Sequence, residues 1–292
     1  MAQVRCVLDS KALVGESPRW NPVDQALWWV DIYEPSLNRF DPATGKSRKY
    51  SMPEHIGCFS FTRTGRVIAG MKSGIAFIDL EPAVKIQRVF ELNPNQTGYR
   101  FNDGRCDPGG RFWAGSILEG LERRVGALFR YDPSGDCKKM IGEMVCPNGL
   151  AFPSDGTIMY HSDSRLDYVW KWDLDRTTGE ISNQQVFLAT DIQEGRPDGA
   201  VCDAEGGYWI CHVGAWRVAR YTPDGRIDRV IGLPVQRPTA CTFGGRNLDT
   251  LFVTSATRGL GATALAKQPL AGNLFAIEGI GVRGIAEPVF AD

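Results

Sequence analysis

Apolar and polar positions alternate along this chain in short runs, each closed by a cluster of Gly, Pro, Asp or Asn. Period-two alternation in runs of that length predicts strands, and no segment holds a convincing helical period. Six of the runs correspond to one another: LWWVDI (27–32), RVIAGM (66–71), RFWAGS (111–116), TIMYHS (157–162), GYWICH (207–212) and TLFVTS (250–255). They recur about every 40 to 50 residues, the period of a propeller blade. A further strand-like run ending in an acid and a turn follows each, as in NRFDPATG or ALFRYDPSG, and most units add a fourth, such as QQVFLAT at 184–190. The expected fold is therefore all-β: a six-bladed β-propeller with four-stranded blades and an axial metal site, one domain over residues 1–292. Residues 4–8 remain over at the start, and are predicted to complete the C-terminal blade and close the ring, removing edges that would pair with other chains.

One slot in each unit departs from this apolar framework. Ten residues before the first large side chain of the runs above stand Gly57, Asn102, Asn148 and Asp198, and a shift of one or two residues adds Glu16 and Thr239. The segments after the slot, GLAF, GAVCD and ACTF, are small and apolar, as a crowded propeller axis demands. The slot thus begins the innermost strand, and its side chains should converge at one mouth of the central channel. N-G and D-G are also common turn dipeptides, which accounts for any one of these sites. For the set, different polar residues in one structural position point to chemistry.

Two carboxylates and one or more amides gathered on an axis are unfavourable unless their charge is neutralised. A divalent cation is the natural partner. Oxygen donors without thiolate or imidazole suit a hard ion such as Ca²⁺, Mg²⁺ or Mn²⁺, with several waters retained. Coordination positions left open suit catalysis.

Composition narrows the field further. Hydrophobic residues make up 43% and charged residues 23% of 292, an ordinary globular balance. The formal net charge is -1 with no run of five like charges, so neither nucleic acid nor an anionic membrane is an expected partner. No signal peptide and no apolar stretch of membrane-spanning length is evident, which predicts a cytoplasmic protein. Eight cysteines without a C-x-x-C pair read as buried, reduced thiols, and His55, His161 and His212 lack metal-ligand spacing. Trp28, Trp29, Trp113 and Trp209 read as inter-blade packing, whereas Trp20 and Trp216 lie nearer predicted loops that could flank a sugar.

The segments GESPRW, YRFNDGRCDPGGRFWAG, CPNGLAF, RPDGAVCDAEGGYW and PTACTFGG, in that order, resemble the regucalcin/gluconolactonase family of sugar lactonases over almost the whole chain. The resemblance implies one axial divalent metal bound by Glu16, Asn148 and Asp198, with Ca, Mg, Mn, Zn and Fe(II) left open. It implies that Arg100 and Asn102 contact the sugar hydroxyls and that Asp103 sits beside the metal's water shell. Asp198 is the expected general base, and the expected reaction opens a sugar lactone, such as a glucono-, xylono- or arabinonolactone, to its aldonic acid. Where regucalcin has a pair of glutamates after Gly-Thr-Met, this chain reads GSILEG, leaving Glu119 and Gly120. Glu119 is thus either a substrate contact or a solvated loop carboxylate. Two other readings stand beside lactone hydrolysis: a broader aryl- or phosphotriester hydrolase, and a non-catalytic calcium-binding or interaction propeller.

Overall fold

Strand propensity and the turn clusters act together here, because each run is too short to bury its apolar face alone and must stack against a neighbour. In the computed structural model, which describes residues 2–93, 95–191 and 194–292, the strands form six four-stranded antiparallel sheets. The first blade runs Gly15–Asn21, Ala26–Asp31, Ser36–Phe40 and Ser47–Ser51. Four more repeat that order over residues 56–91, 99–144, 147–189 and 196–232. Burial falls outward: Gly15–Asn21 is buried along almost its whole length, while Ser47–Ser51 buries only Tyr50. The core therefore lies between blades, in layers around the axis, with Trp113 and Trp209 fully enclosed.

The ring closes as the leftover segment predicts. The sixth blade takes Pro238–Gly244, Thr250–Ser255 and Leu274–Glu278 from the C-terminal end, and Gln3–Leu8 pairs antiparallel outside them, with Val4 opposite Ile277. The two ends of the chain thus share one sheet, which leaves that blade no unpaired third strand. Between its second and third strands lies a helix, Ala262–Lys267, that the hydrophobic pattern does not predict, since six residues are too few to display a helical period. Among the described residues no helix is long and apolar enough to cross a membrane.

The repeated CDPGGRFW and CDAEGGYW segments prove structural. Asp107 accepts from the Arg111 amide at 3.0 Å and the Trp113 indole at 2.9 Å, and Asp203 accepts from the Gly207 amide and the Trp209 indole, both at 2.8 Å. Each carboxylate closes a hairpin turn and fixes the next blade-packing tryptophan. Trp20 is not beside a loop: it is buried within Gly15–Asn21 and stacks on Phe252, ring centroids 5.7 Å apart. His161 is also core, its protonation pushed down to about 3 by burial.

The channel is closed at one end by the chain's own C-terminal segment. Backbone bridges join Asp203 to Gly284 and Thr62 to Phe290, and Glu287 lies 3.9 Å from Arg19 and 3.6 Å from Arg105. Those arginines stand three residues along the inner strands from Glu16 and Asn102, so the polar slot is left at the other end.

Candidate axial site

In all six inner strands the ladder to the second strand breaks at or beside the slot. The register shifts between Glu16 and Arg19, Ile56 and Cys58, Phe101 and Gly104, Asn148 and Ala151, Pro197 and Ala200, and Pro238 and Cys241. Bulges re-aim side chains and free backbone from pairing, and here they occur once per blade around one axis. The backbone bends accordingly: Gly149 after Asn148 has φ +63, and Ser17 after Glu16 takes φ 50 without being glycine. The N-G dipeptide is thus a turn device and a site device at once. Gly57 holds the second blade's slot because a Cβ there would lie 2.3 Å from the Phe101 carbonyl oxygen.

The remaining slot residues, Glu16, Asn102, Asn148, Asp198 and Thr239, all line one cavity of about 280 Å³, together with Arg100, Tyr33 and Ser164. Hydrogen bonds set the amide orientations. Asn148 Nδ2 donates to Ser164 Oγ at 2.7 Å, and that hydroxyl donates to the Pro197 carbonyl at 2.5 Å, which turns Asn148 Oδ1 toward Asn102. Asn102 Nδ2 donates to that Oδ1 and to the Pro147 carbonyl, both at 3.0 Å, while its own Oδ1 accepts from Arg100 Nη1 at 2.8 Å. Asn148 Oδ1 keeps a second lone pair.

Glu16 is buried, and desolvation, followed by the nearby Asp103 charge, pushes its carboxyl up to about 8. Asp198 is held well above the usual carboxylate range by burial first, then by the Glu16 and Asp103 charges, with Arg237 opposing. Asp103 does not line the cavity. Its Oδ1 accepts from the Gly104 amide at 2.8 Å and its Oδ2 from the Leu150 amide at 3.0 Å, fixing a charge beneath the other two acids.

Three acids in one field call for a positive counter-charge, and the donor set fits a hard divalent cation. Among the described residues no three His, Cys, Asp or Glu side chains form a cage of their own. What converges is two carboxylates and an amide oxygen, all hard donors, which leaves room for waters. The neighbouring Cys146 thiol is pushed up to about 12 by burial and stays protonated, so it offers no thiolate.

Glu119, expected to be either a substrate contact or a solvated carboxylate, does not line the cavity. Its Oε1 accepts from the Tyr33 hydroxyl at 3.1 Å and from Arg100 Nε at 3.3 Å, with His55 Nδ1 at 3.6 Å, so it steers Arg100. Sequence reasoning missed Tyr33, Ser164 and four arginines on the cavity wall, Arg165, Arg196, Arg237 and Arg258. A signal for two of them was present. Arg100, Arg196 and Arg237 each stand two residues before a slot residue, in RFN, RPD and RPT, and alternate residues of a strand share a face.

Known proteins resemble this chain over nearly its whole length. The sequence model of the SMP-30/Gluconolactonase/LRE-like region matches residues 14–257. A Pseudomonas putida protein named 6-deoxy-6-sulfogluconolactonase is 37% identical over 288 residues, 99% of this chain and 98% of its own. Regucalcin of Danio rerio is 35% identical over 286 residues, 97% of this chain and 96% of its own. The crystal structure of regucalcin from Agrobacterium tumefaciens, described as a calcium-binding protein, superposes with a TM-score of 0.94 at 28% identity, covering 99% of this chain and 97% of that one.

Proposed function

The chain belongs to the SMP-30/Gluconolactonase/LRE-like family, and on that premise we propose that it hydrolyses a sugar lactone to the aldonic acid, using one divalent cation held by Glu16, Asn148 and Asp198. The observation that carries this reading is the convergence of two mutually repelling carboxylates, Glu16 buried and Asp198 half-buried, and an oriented amide in a cavity that Arg100 and Asn102 also line. A relative named 6-deoxy-6-sulfogluconolactonase supports the reaction class.

When bound, a divalent cation supplies polarisation of the lactone carbonyl, an effect typically worth several kcal/mol. Asp198, which lines the cavity beside the proposed cation, takes a proton from the attacking water once the cation has displaced the proton that its carboxyl holds in the free site. Arg100 orients the sugar ring. Its Nη1 is committed to the Phe101 carbonyl at 2.9 Å and to Asn102, and its Nε to Glu119, which leaves the Nη2 hydrogens for substrate hydroxyls. Asn102 spends its two donors on Pro147 and Asn148 and keeps one lone pair for a hydroxyl, so it mostly fixes the geometry of its neighbours.

The deciding experiment strips the protein of metal and assays pentono- and hexonolactones before and after adding Ca²⁺, Mg²⁺, Mn²⁺, Zn²⁺ or Fe²⁺. Calcium comes first, because a structural relative is described as calcium-binding. Hydrolysis should vanish on stripping and return with at least one cation. Undiminished turnover in verified metal-free protein removes the cation from the mechanism, and no turnover of any lactone under any cation removes the reaction.

A further inference from the structure

We propose that the lactone opened at this site carries, away from its carbonyl, a second group that is anionic, a sulfonate, phosphate or carboxylate, and that Arg165, Arg196 and Arg237 bind it. The inference rests on the lactonase reading and deepens it.

The three arginines come from different elements and meet at one wall. Arg196 opens the strand Arg196–Cys202, Arg237 immediately precedes Pro238–Gly244, and Arg165 follows Ile158–Asp163. Arg258 joins them from the loop after Thr250–Ser255, its Cζ 3.8 Å from the Tyr33 ring centroid. All four line the cavity, in a chain whose formal net charge is -1.

Unpaired arginines also occur on the exposed surface, as at Arg63, Arg123 and Arg176, but several that are drawn into the fold are matched with acids. Arg39, Arg66 and Arg130 each meet an aspartate within 2.9 Å, and Arg220 is shared among Asp203, Glu205 and Asp228. Among the described residues, Arg165, Arg196, Arg237 and Arg258 have no carboxylate within 4.0 Å. Arg237 Nε is buried without an acceptor, and Arg196 and Arg165 are close enough to disfavour its charge.

Arg196 and Arg237 are half-buried, with the exposed Arg165 and Arg258 at the rim, and like charges drawn together without counterions are unfavourable in the free protein. The acid in Arg237's field is Asp198, which the cation claims on the proposed reading. The missing negative charge must then arrive with the ligand. A tetrahedral or planar oxyanion suits the guanidinium fork, which binds two of its oxygens at once. The carboxylate released by hydrolysis does not answer the need, since it forms at the carbonyl carbon, beside Asp198 and the cation.

The test compares kcat/KM for gluconolactone and for analogues bearing phosphate, sulfonate or carboxylate at carbon 6, in the wild-type chain and in Arg165→Gln, Arg196→Gln and Arg237→Gln. Each variant is first checked for an unchanged melting temperature. At least one anionic lactone should exceed the neutral one by about tenfold to a hundredfold, and each substitution should cut that ratio by about tenfold. The anion that ranks first identifies the group. Equal kcat/KM for neutral and anionic lactones, or a preference that survives all three substitutions, overturns the inference and leaves the lactonase reading intact. If no lactone is hydrolysed, that reading falls separately, and calorimetric binding of gluconate against its carbon-6 phosphate decides: an arginine-dependent preference sustains the anion site, and equal binding removes it.

Discussion

Asn102 Nδ2 donates to Asn148 Oδ1 across 3.0 Å, joining the third blade to the fourth at the axis. The bond places a proposed substrate residue directly behind a proposed metal ligand. Removing such a partner from a ligand typically lowers metal affinity about 10- to 100-fold. Asn102→Ala should therefore weaken cation binding by that order, although Asn102 is not itself a ligand. Competition against a calibrated chelator measures it, and an unchanged dissociation constant would falsify the coupling.

Asp198 is assigned two duties, ligand and base, and a single substitution separates them. Asp198→Asn keeps an oxygen donor toward the cation but removes the proton acceptor. Cation binding should persist, weakened, while kcat falls by about 10²- to 10⁴-fold, the usual contribution of a positioned base. Asp198→Ala should lose both together. Turnover in a well-folded, cation-loaded Asp198→Asn protein near the wild-type rate reassigns the base.

The fold was legible because it is written six times. A run such as GYWICH is ambiguous alone, yet six runs at one period identify a blade, and residues 4–8 could be placed only because the sixth blade lacked a strand. The slot was legible for the same reason, since Glu16, Asn102, Asn148 and Asp198 interrupt a common framework. Hydrogen-bond direction was not. Nothing in GSILEG tells that Glu119 turns to Arg100 and Tyr33 rather than to the cavity, because that depends on where another blade ends. Arg165 and Arg258 follow strands in loops of unequal length, so no fixed offset reaches them, whereas Arg196 and Arg237 share the offset of Arg100.

Metal-free stability should fall as pH rises. The Glu16 carboxyl, ordinarily near 4.5, stands at about 8 in the folded chain, so between those values the folded state holds a proton that the unfolded state has released. Its stabilising contribution is complete below the unfolded value and is lost as pH climbs through the window toward 8. A bound cation replaces that proton and cancels the slope. Melting temperatures of chelated protein from pH 5 to 8 should drop more steeply than those of the cation-loaded protein, and Glu16→Gln should flatten the chelated curve. Parallel curves for wild type and Glu16→Gln would contradict the assignment.

Two aspartates five residues apart in RPDGAVCDAEGGYW should respond to substitution in opposite directions. Asp203 is fully buried, and besides the Gly207 amide and the Trp209 indole it accepts from the Glu205 amide at 3.0 Å and from Arg220 Nε at 2.6 Å. Asp203→Ala leaves these donors and part of a guanidinium charge without their acceptor, a loss on the order of 3–5 kcal/mol for a broken buried pair. Asp198 lies instead among like charges that burial intensifies. In metal-free protein at neutral pH the unfolded chain ionises Asp198 while the folded site favours the protonated carboxyl, so Asp198→Asn, which needs no proton, should raise the denaturation midpoint, while Asp203→Ala lowers it sharply. Urea unfolding of both variants without cation makes the comparison. If Asp198→Asn destabilises the metal-free chain as Asp203→Ala does, the axial carboxylates are ordinary framework and the strain ascribed to them is absent.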